Sequence, residues 1–163
     1  MEPTGFAARM ARSLDRPVEA ACAVRAPGTT MTSALGAGAG AAIGSIAVGS
    51  ALFAGLGGAL GVIVGYVIVW LRHRGAGLSV AMALVLEPDR VDLMRMNAFG
   101  TRAVGTIRSY AYADITGVEM HSKLLEVRIV LQTTQGVLEV DGGKRGVGAA
   151  PPVVEHLQRR IAA

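Results

Sequence analysis

The sequence predicts an α+β protein in two parts, a two-helix transmembrane hairpin followed by an antiparallel β roll or barrel capped by a C-terminal helix. Three observations carry this expectation. Residues 26–71, forty-six in a row, contain no Asp, Glu, Lys, Arg or His. After Gly75 the pattern changes to short β-like runs separated by turn chemistry. The chain then ends in a segment with apolar residues at helical spacing, opened by Pro151 and Pro152.

The uncharged run decides the first part. A chain of 163 residues cannot build a core large enough to surround a helix that is apolar on every side, so lipid is the less costly solvent. One helix through residues 33–71 would be about 60 Å long, roughly twice the hydrocarbon thickness of a bilayer. Two spans are therefore expected, near Thr30 to Val48 and Phe53 to Leu71, joined around Gly49, Ser50 and Ala51. The implied division is a cytoplasmic segment 1–29, a hairpin 30–71 and a soluble domain 72–163.

Glycine spacing suggests how the spans meet. Gly36, Gly40 and Gly44 lie four residues apart, and so do Gly57, Gly61 and Gly65, which puts each set on one helix face. About a turn near residue 50, Gly36 is expected opposite Gly65, Gly40 opposite Gly61 and Gly44 opposite Gly57. Helices in lipid associate by close packing at small residues, so two smooth faces would join. The second span, rich in Val, Ile and Leu, should insert readily; the first, rich in Gly and Ala, is marginal and would enter with it.

The flanks set orientation. Arg72, His73 and Arg74 follow the second span and are read as lipid-headgroup residues; Arg9, Arg12, Arg16 and Arg25 precede the first, and the turn is uncharged. The positive-inside rule then places both termini in the cytoplasm, at the inner (plasma) membrane. Trp70 and Tyr66 suit the interface.

The first residues leave alternatives open. Phe6, Met10 and Leu14 recur every four residues while Arg9, Arg12 and Arg16 point elsewhere, which suits either a short basic helix on the membrane surface or a frayed terminus. Val18, Ala20, Cys22 and Val24 alternate with their neighbours, giving an extra strand or a loop. Cys22 is the single cysteine, so it forms no internal disulfide and no zinc site; it reads as a small buried apolar residue.

Beyond Gly77, runs at Ser79 to Glu87, Arg90 to Asn97, Thr106 to Tyr112, Ile115 to His121, Leu125 to Gln132 and Val137 to Asp141 read as strands. The fifth is clearest, with Leu125, Val127, Ile129 and Leu131 alternating against polar partners. Val153, Val154, Leu157 and Ile161 give the last helix one apolar face. No βαβ alternation appears, which disfavours a nucleotide-binding sheet.

The stretches Leu84 to Arg95, Asp114 to Glu119 and Leu124 to Asp141 resemble bacterial PH-like domains found beside short membrane hairpins. Pro88 stands where the family commonly has Thr, and the loop after Asn97 is long. The resemblance covers somewhat over half of the soluble part. It implies a seven-strand barrel-like sheet with a C-terminal helix, often self-associating, with mostly undefined ligands and no enzyme activity. Inositide-binding PH domains use a basic first hairpin loop, and the turn Glu87-Pro88-Asp89-Arg90 is short and partly acidic.

Little chemistry is on offer. His73, His121 and His156 are far apart in sequence and lack local ligand partners, and Asp114 and Glu119 read as strand-end residues. No cofactor or metal is expected; the run Gly36 to Gly40 lacks the Lys-Ser/Thr of a phosphate loop. Lys144 and Arg145, in a glycine-rich loop, are candidate anion contacts. A net charge of +4 with interspersed acids is no nucleic-acid footprint, so no nucleic acid is expected as a partner. The reading is a non-enzymatic, membrane-tethered module that recruits an unknown protein or senses anionic lipid, with a homo-oligomer as a further expectation. The alternative is a glycine-zipper oligomer acting as a pore or transport accessory.

Overall fold

The computed structural model describes residues 5–29, 34–39, 41–42, 51–73, 78–79, 81–97 and 99–162. The chain divides into two compact units, Met1–Pro27 together with Ala81–Ala163, and Gly28–Val80. The expected boundary at residue 72 is thus corrected. The sheet unit begins at the N-terminus, is interrupted by the apolar segment, and resumes at Ala81.

The sheet unit contains helix α1 (Gly5–Leu14), then strands β1 (Ala20–Arg25), β2 (Met82–Leu86), β3 (Arg90–Met96), β4 (Ala103–Ala111), β5 (Ile115–Ser122), β6 (Glu126–Thr133) and β7 (Gly136–Gly143). Helix α3 (Pro151–Ile161) closes it, and helix α2 (Ala51–His73) belongs to the other unit. The seven strands form one antiparallel sheet in the order β4-β3-β2-β1-β7-β6-β5. β1 is the central strand. The segment that the sequence left between strand and loop joins the two halves, pairing Cys22 with Leu84 on one side and Val24 with Gly142 on the other.

Side-chain parity explains why a strand so poor in β-branched residues is held. Cys22 and Val24 share a face with Leu84, Leu86, Val91 and Leu93, and with Ile129, Leu131, Leu138 and Val140, all buried. α3 packs on β1 and β5 with Val153, Val154 and Leu157 buried, as its apolar spacing predicted. Ala21, Ala83, Val85, Met94 and Met96 point the other way, into a second cluster with Phe6, Ala7 and Met10 of α1. The four-residue spacing of Phe6, Met10 and Leu14 is therefore a packing face against the sheet, and the membrane-surface reading of this helix is corrected. Small residues on β1 let α1 approach closely. β2 is buried on both faces, which is why Leu84, Val85 and Leu86 form a continuous apolar run without alternation.

An ionic latch ties the end of α1 to the β2–β3 turn. Asp15 takes a left-handed conformation (φ 52°), and Arg16 then reaches Glu87 Oε1 at 3.0 Å and Asp92 Oδ2 at 3.3 Å. The contact to Oε1 is a charge contact off hydrogen-bond geometry; Arg16 Nη1 donates to Oε2 at 3.3 Å. Arg90 Nε donates to Glu87 Oε2 at 3.1 Å, and Ser109 Oγ donates to Asp92 Oδ1 at 2.5 Å. Both acids are buried, with side chains only 4% and 3% exposed. Removing Arg16 would leave these carboxylates undercompensated in a dry site, a change that typically costs about 3–5 kcal/mol.

Burial also pushes the Cys22 thiol up to about 12. Tyr112 is raised to about 12, first by desolvation and then by Glu19, while its hydroxyl donates to the Glu87 carbonyl at 2.7 Å. Both groups favour their neutral forms in the fold. The stability they lend is complete below the unfolded values of 9.0 and 10.0 and is lost as pH rises through those values towards about 12.

Two expectations follow. A chain in which 28–80 is replaced by a short Gly-Ser turn unfolds cooperatively by circular dichroism, whereas a fragment starting at Gly75 lacks its central strand and does not. Cys22 resists alkylation by iodoacetamide at pH 8 in the folded protein and reacts fully in guanidinium; rapid labelling without denaturant would contradict its burial.

Candidate functional site

The uncharged segment forms a unit of its own, Gly28–Val80. Within it α2 runs for 23 residues, which at about 1.5 Å per residue is long enough to cross a hydrocarbon core. Its stretch Gly55–Arg72 has a mean hydropathy of 1.7 and is only 11% buried. A core helix of a water-soluble protein would show the reverse. Leu56, Leu60, Ile63, Val64, Val67, Ile68 and Leu71 are all exposed along one face, and the opposite face carries Gly58, Val62, Gly65 and Val69, so the helix has no polar face to turn to water. Among the described residues this is the one helix long and apolar enough to cross a membrane. The expected first span, 30–48, is described only at 34–39 and 41–42, which are helical.

These two helical pieces meet at small residues. Gly36 and Gly61 touch backbone to backbone, so that a Cβ on either would run into the other's carbonyl. A Cβ on Gly58 would sit 3.6 Å from the Ala37 carbonyl oxygen and 3.6 Å from the Ala41 Cβ. The anticipated register is corrected by one helical turn, since Gly36 lies against Gly61 and not against Gly65. The reason is local: Gly57 and Gly58 are adjacent, and the contact uses Gly58, with Ala37 and Ala41 opposite, where the four-residue glycine rule pointed to Gly57. Gly57 is half-buried and Gly65 buried. Gly40 and Gly44 lie outside the described residues, as do Arg74 and the His73 side chain; Arg72 is exposed.

The sheet holds both ends of this insertion together. Val24, one residue before the end of β1, pairs with Met82, the first residue of β2. The chain therefore leaves and re-joins the sheet at neighbouring strands, about 5 Å apart. At the same edge the Met96 N–H donates to the Ala81 carbonyl at 3.0 Å, which brings the β3–β4 loop alongside.

The remaining candidate residues are dispersed. Lys144 Nζ donates to the Leu124 carbonyl at 3.4 Å, and both Lys144 and Arg145 are at the surface. His121 and Glu119 form an exposed pair at 3.1 Å, with Gln132 donating to Glu119 at 2.8 Å. His156 meets Glu19 at 3.2 Å, a cross-sheet contact between α3 and the start of β1. The Asp114 carbonyl accepts from the Thr134 N–H at 2.9 Å, in keeping with a turn residue. Asp141, buried, takes both Lys123 and Arg128, at 3.1 and 2.9 Å. Sequence reasoning missed this triad and the Arg16 latch, because ionic partners far apart in the chain leave no local spacing. Among the described residues no group of three His, Cys, Asp or Glu could hold a metal ion.

No family model, no curated protein and no solved structure matches the chain.

Gly61→Leu separates the two helical pieces and lowers the thermal midpoint of the detergent-solubilised protein by several degrees, while Gly38→Leu, where a Cβ meets nothing within 4 Å, leaves it unchanged. Equal effects of the two substitutions would remove the close contact from the account.

Proposed function

We propose that the protein is a non-enzymatic, membrane-tethered binding module, a PH-like roll held at the cytoplasmic face of the plasma membrane by a two-helix insertion between its first two strands. The observation that carries this reading is the pairing of Val24 with Met82 across the insertion. Two ends fixed on adjacent strands lie on one side of any membrane, so the segment between them crosses an even number of times. α2 supplies one crossing, and residues 28–50, uncharged in their entirety, supply the return. The tight Gly36–Gly61 contact supports the two pieces as a packed pair. Arg25 and Arg72 flank the uncharged run and favour the cytoplasmic side for both ends.

The PH-like assignment is supported by topology. Seven antiparallel strands run as two meanders, β1 to β4 and β5 to β7, joined through β1 and β7, with the last helix laid on the sheet. The β1–β2 connection, which in inositide-binding PH domains carries the basic loop, is here the insertion; the short turn Glu87 to Arg90 belongs to β2 and β3. A recruiting role for the exposed sheet unit, towards a protein or anionic lipid, fits the dispersal of the candidate polar groups among the described residues. Within one chain the meeting of Gly36 with Gly61 consumes the smooth face that a glycine-zipper pore would need between chains, which favours the tether over the pore.

The full chain stays with membranes through an alkaline carbonate wash, and the variant with 28–80 replaced by a Gly-Ser turn is released into the supernatant. Release of the full chain would end the tethering reading. Cross-linking in cells then separates the roles: the tethered sheet unit captures a partner or itself, and an isolated monomer under all conditions would end the recruiting role.

A further inference from the structure

The β3–β4 loop is built to hold an aromatic ring in the open. The Asn97 side chain organises it: Oδ1 accepts from the backbone N–H of Thr101 at 2.8 Å and of Arg102 at 3.3 Å, while Nδ2 donates to Thr101 Oγ1 at 3.0 Å. The Asn97 N–H donates to the Arg102 carbonyl at 2.9 Å, the Gly100 N–H returns to the Asn97 carbonyl at 2.9 Å, and Gly100 takes the left-handed conformation (φ 65°) that the tight turn requires. This ring of bonds presents Phe99, which is 87% exposed. Arg102 follows it, exposed, and Val104 is exposed two residues further on. An ordered loop that spends its hydrogen bonds on displaying a phenyl ring to water gains nothing from water.

Its position in the sheet unit supplies the missing partner. The loop springs from the strand ends at which the insertion leaves and returns: Met82 pairs with Arg95, Met96 pairs with Ala103, and the Met96 N–H bonds to Ala81. Residues 74–80 join that edge to the end of α2 and can span at most about 25–30 Å. With α2 in a bilayer, the loop is confined to the neighbourhood of the surface, where even a weak contact is populated by high effective concentration.

Resting on the tethering reading, we propose that the β3–β4 loop is a second membrane contact, with Phe99 seated at the acyl boundary of the cytoplasmic leaflet and Arg102 at anionic lipid phosphates. Aromatic rings favour that depth, and a guanidinium pairs with phosphate above it. The contact would fix which face of the sheet unit looks away from the membrane and is free for a partner. It goes beyond a tether, because a tether alone does not set which face of the sheet unit meets the membrane.

The test uses the full chain in vesicles of phosphatidylcholine and phosphatidylglycerol with brominated acyl chains, read by tryptophan quenching. Trp70 is the sole tryptophan and reports the tether. The variant Trp70→Phe with Phe99→Trp reports the loop. Quenching of both, with the loop signal reduced by Arg102→Gln or by omitting phosphatidylglycerol, is the expected result. Quenching of Trp70 with an unquenched loop signal overturns this inference and leaves the tether standing; a loop signal that is blue-shifted but unquenched does the same and points to a protein contact. A loop signal indifferent to both Arg102→Gln and phosphatidylglycerol overturns the role given to Arg102. Absence of quenching in both chains overturns the tether and the loop contact together.

Discussion

The pairing of β1 with β2 is the constraint on which the rest of this protein depends. Ala20 to Val24 lie against Leu86 to Met82 although fifty-six residues, 26–81, separate the strands in sequence. That ladder makes the N-terminal segment the middle of the sheet, brings β7 to its other side, and pins both ends of the apolar insertion to the same end of two neighbouring strands. Closing so long a loop costs conformational entropy, though the cost grows only slowly with length, and a helix pair packed at glycine shortens the effective loop. The two-faced core repays it: β1 is covered by α1 on one side and by the α3 side of the core on the other.

The charges are distributed to serve that arrangement. Arg16 and Arg90 hold two buried carboxylates at the β2–β3 turn, and Lys123 and Arg128 hold Asp141 on β7. Arg90 answers Glu87 from within the same turn, whereas Arg16, Lys123 and Arg128 reach the buried acids from other elements and so fasten one part of the sheet unit to its neighbours. Hydrogen bonding to Glu87 and Asp141 raises Arg90 and Arg128 above their ordinary values, led in each case by that bond. Two of the other polar pairs, His121 with Glu119 and His156 with Glu19, lie at the surface or at an element junction.

Much of this was legible in the chain, for definite reasons. Of the six strands after residue 80, β2 announced itself as a continuous apolar run bounded by turn residues, and β6 and the final helix by period-two and helical spacing, because one face of each is wet. β1 stayed open between strand and loop, because of its six residues only Val24 is β-branched and Ala21 is small where α1 packs on it. α1 was left open between a membrane-surface helix and a frayed terminus, since Phe6 and Met10 look the same whether they meet lipid or Val85 and Met94. Of the glycines expected to pack, Gly36 and Gly61 meet, one turn away from their expected partners, because Gly58 and Ala37 serve as well as glycines at strict four-residue spacing. The contacts of Arg16 with Glu87 and of Lys123 and Arg128 with Asp141 were illegible, because folding brings together residues that are far apart in the chain.

The proposed tether requires two crossings with both strand ends on one side. Single cysteines in a Cys22→Ala background, placed at Arg25, Ser50 and Ser79 and treated with a membrane-impermeant maleimide, test this directly. The account predicts labelling of the position-50 cysteine from outside intact cells, and of the other two only after permeabilisation. Labelling of all three from one side, or of positions 25 and 79 from opposite sides, would contradict it.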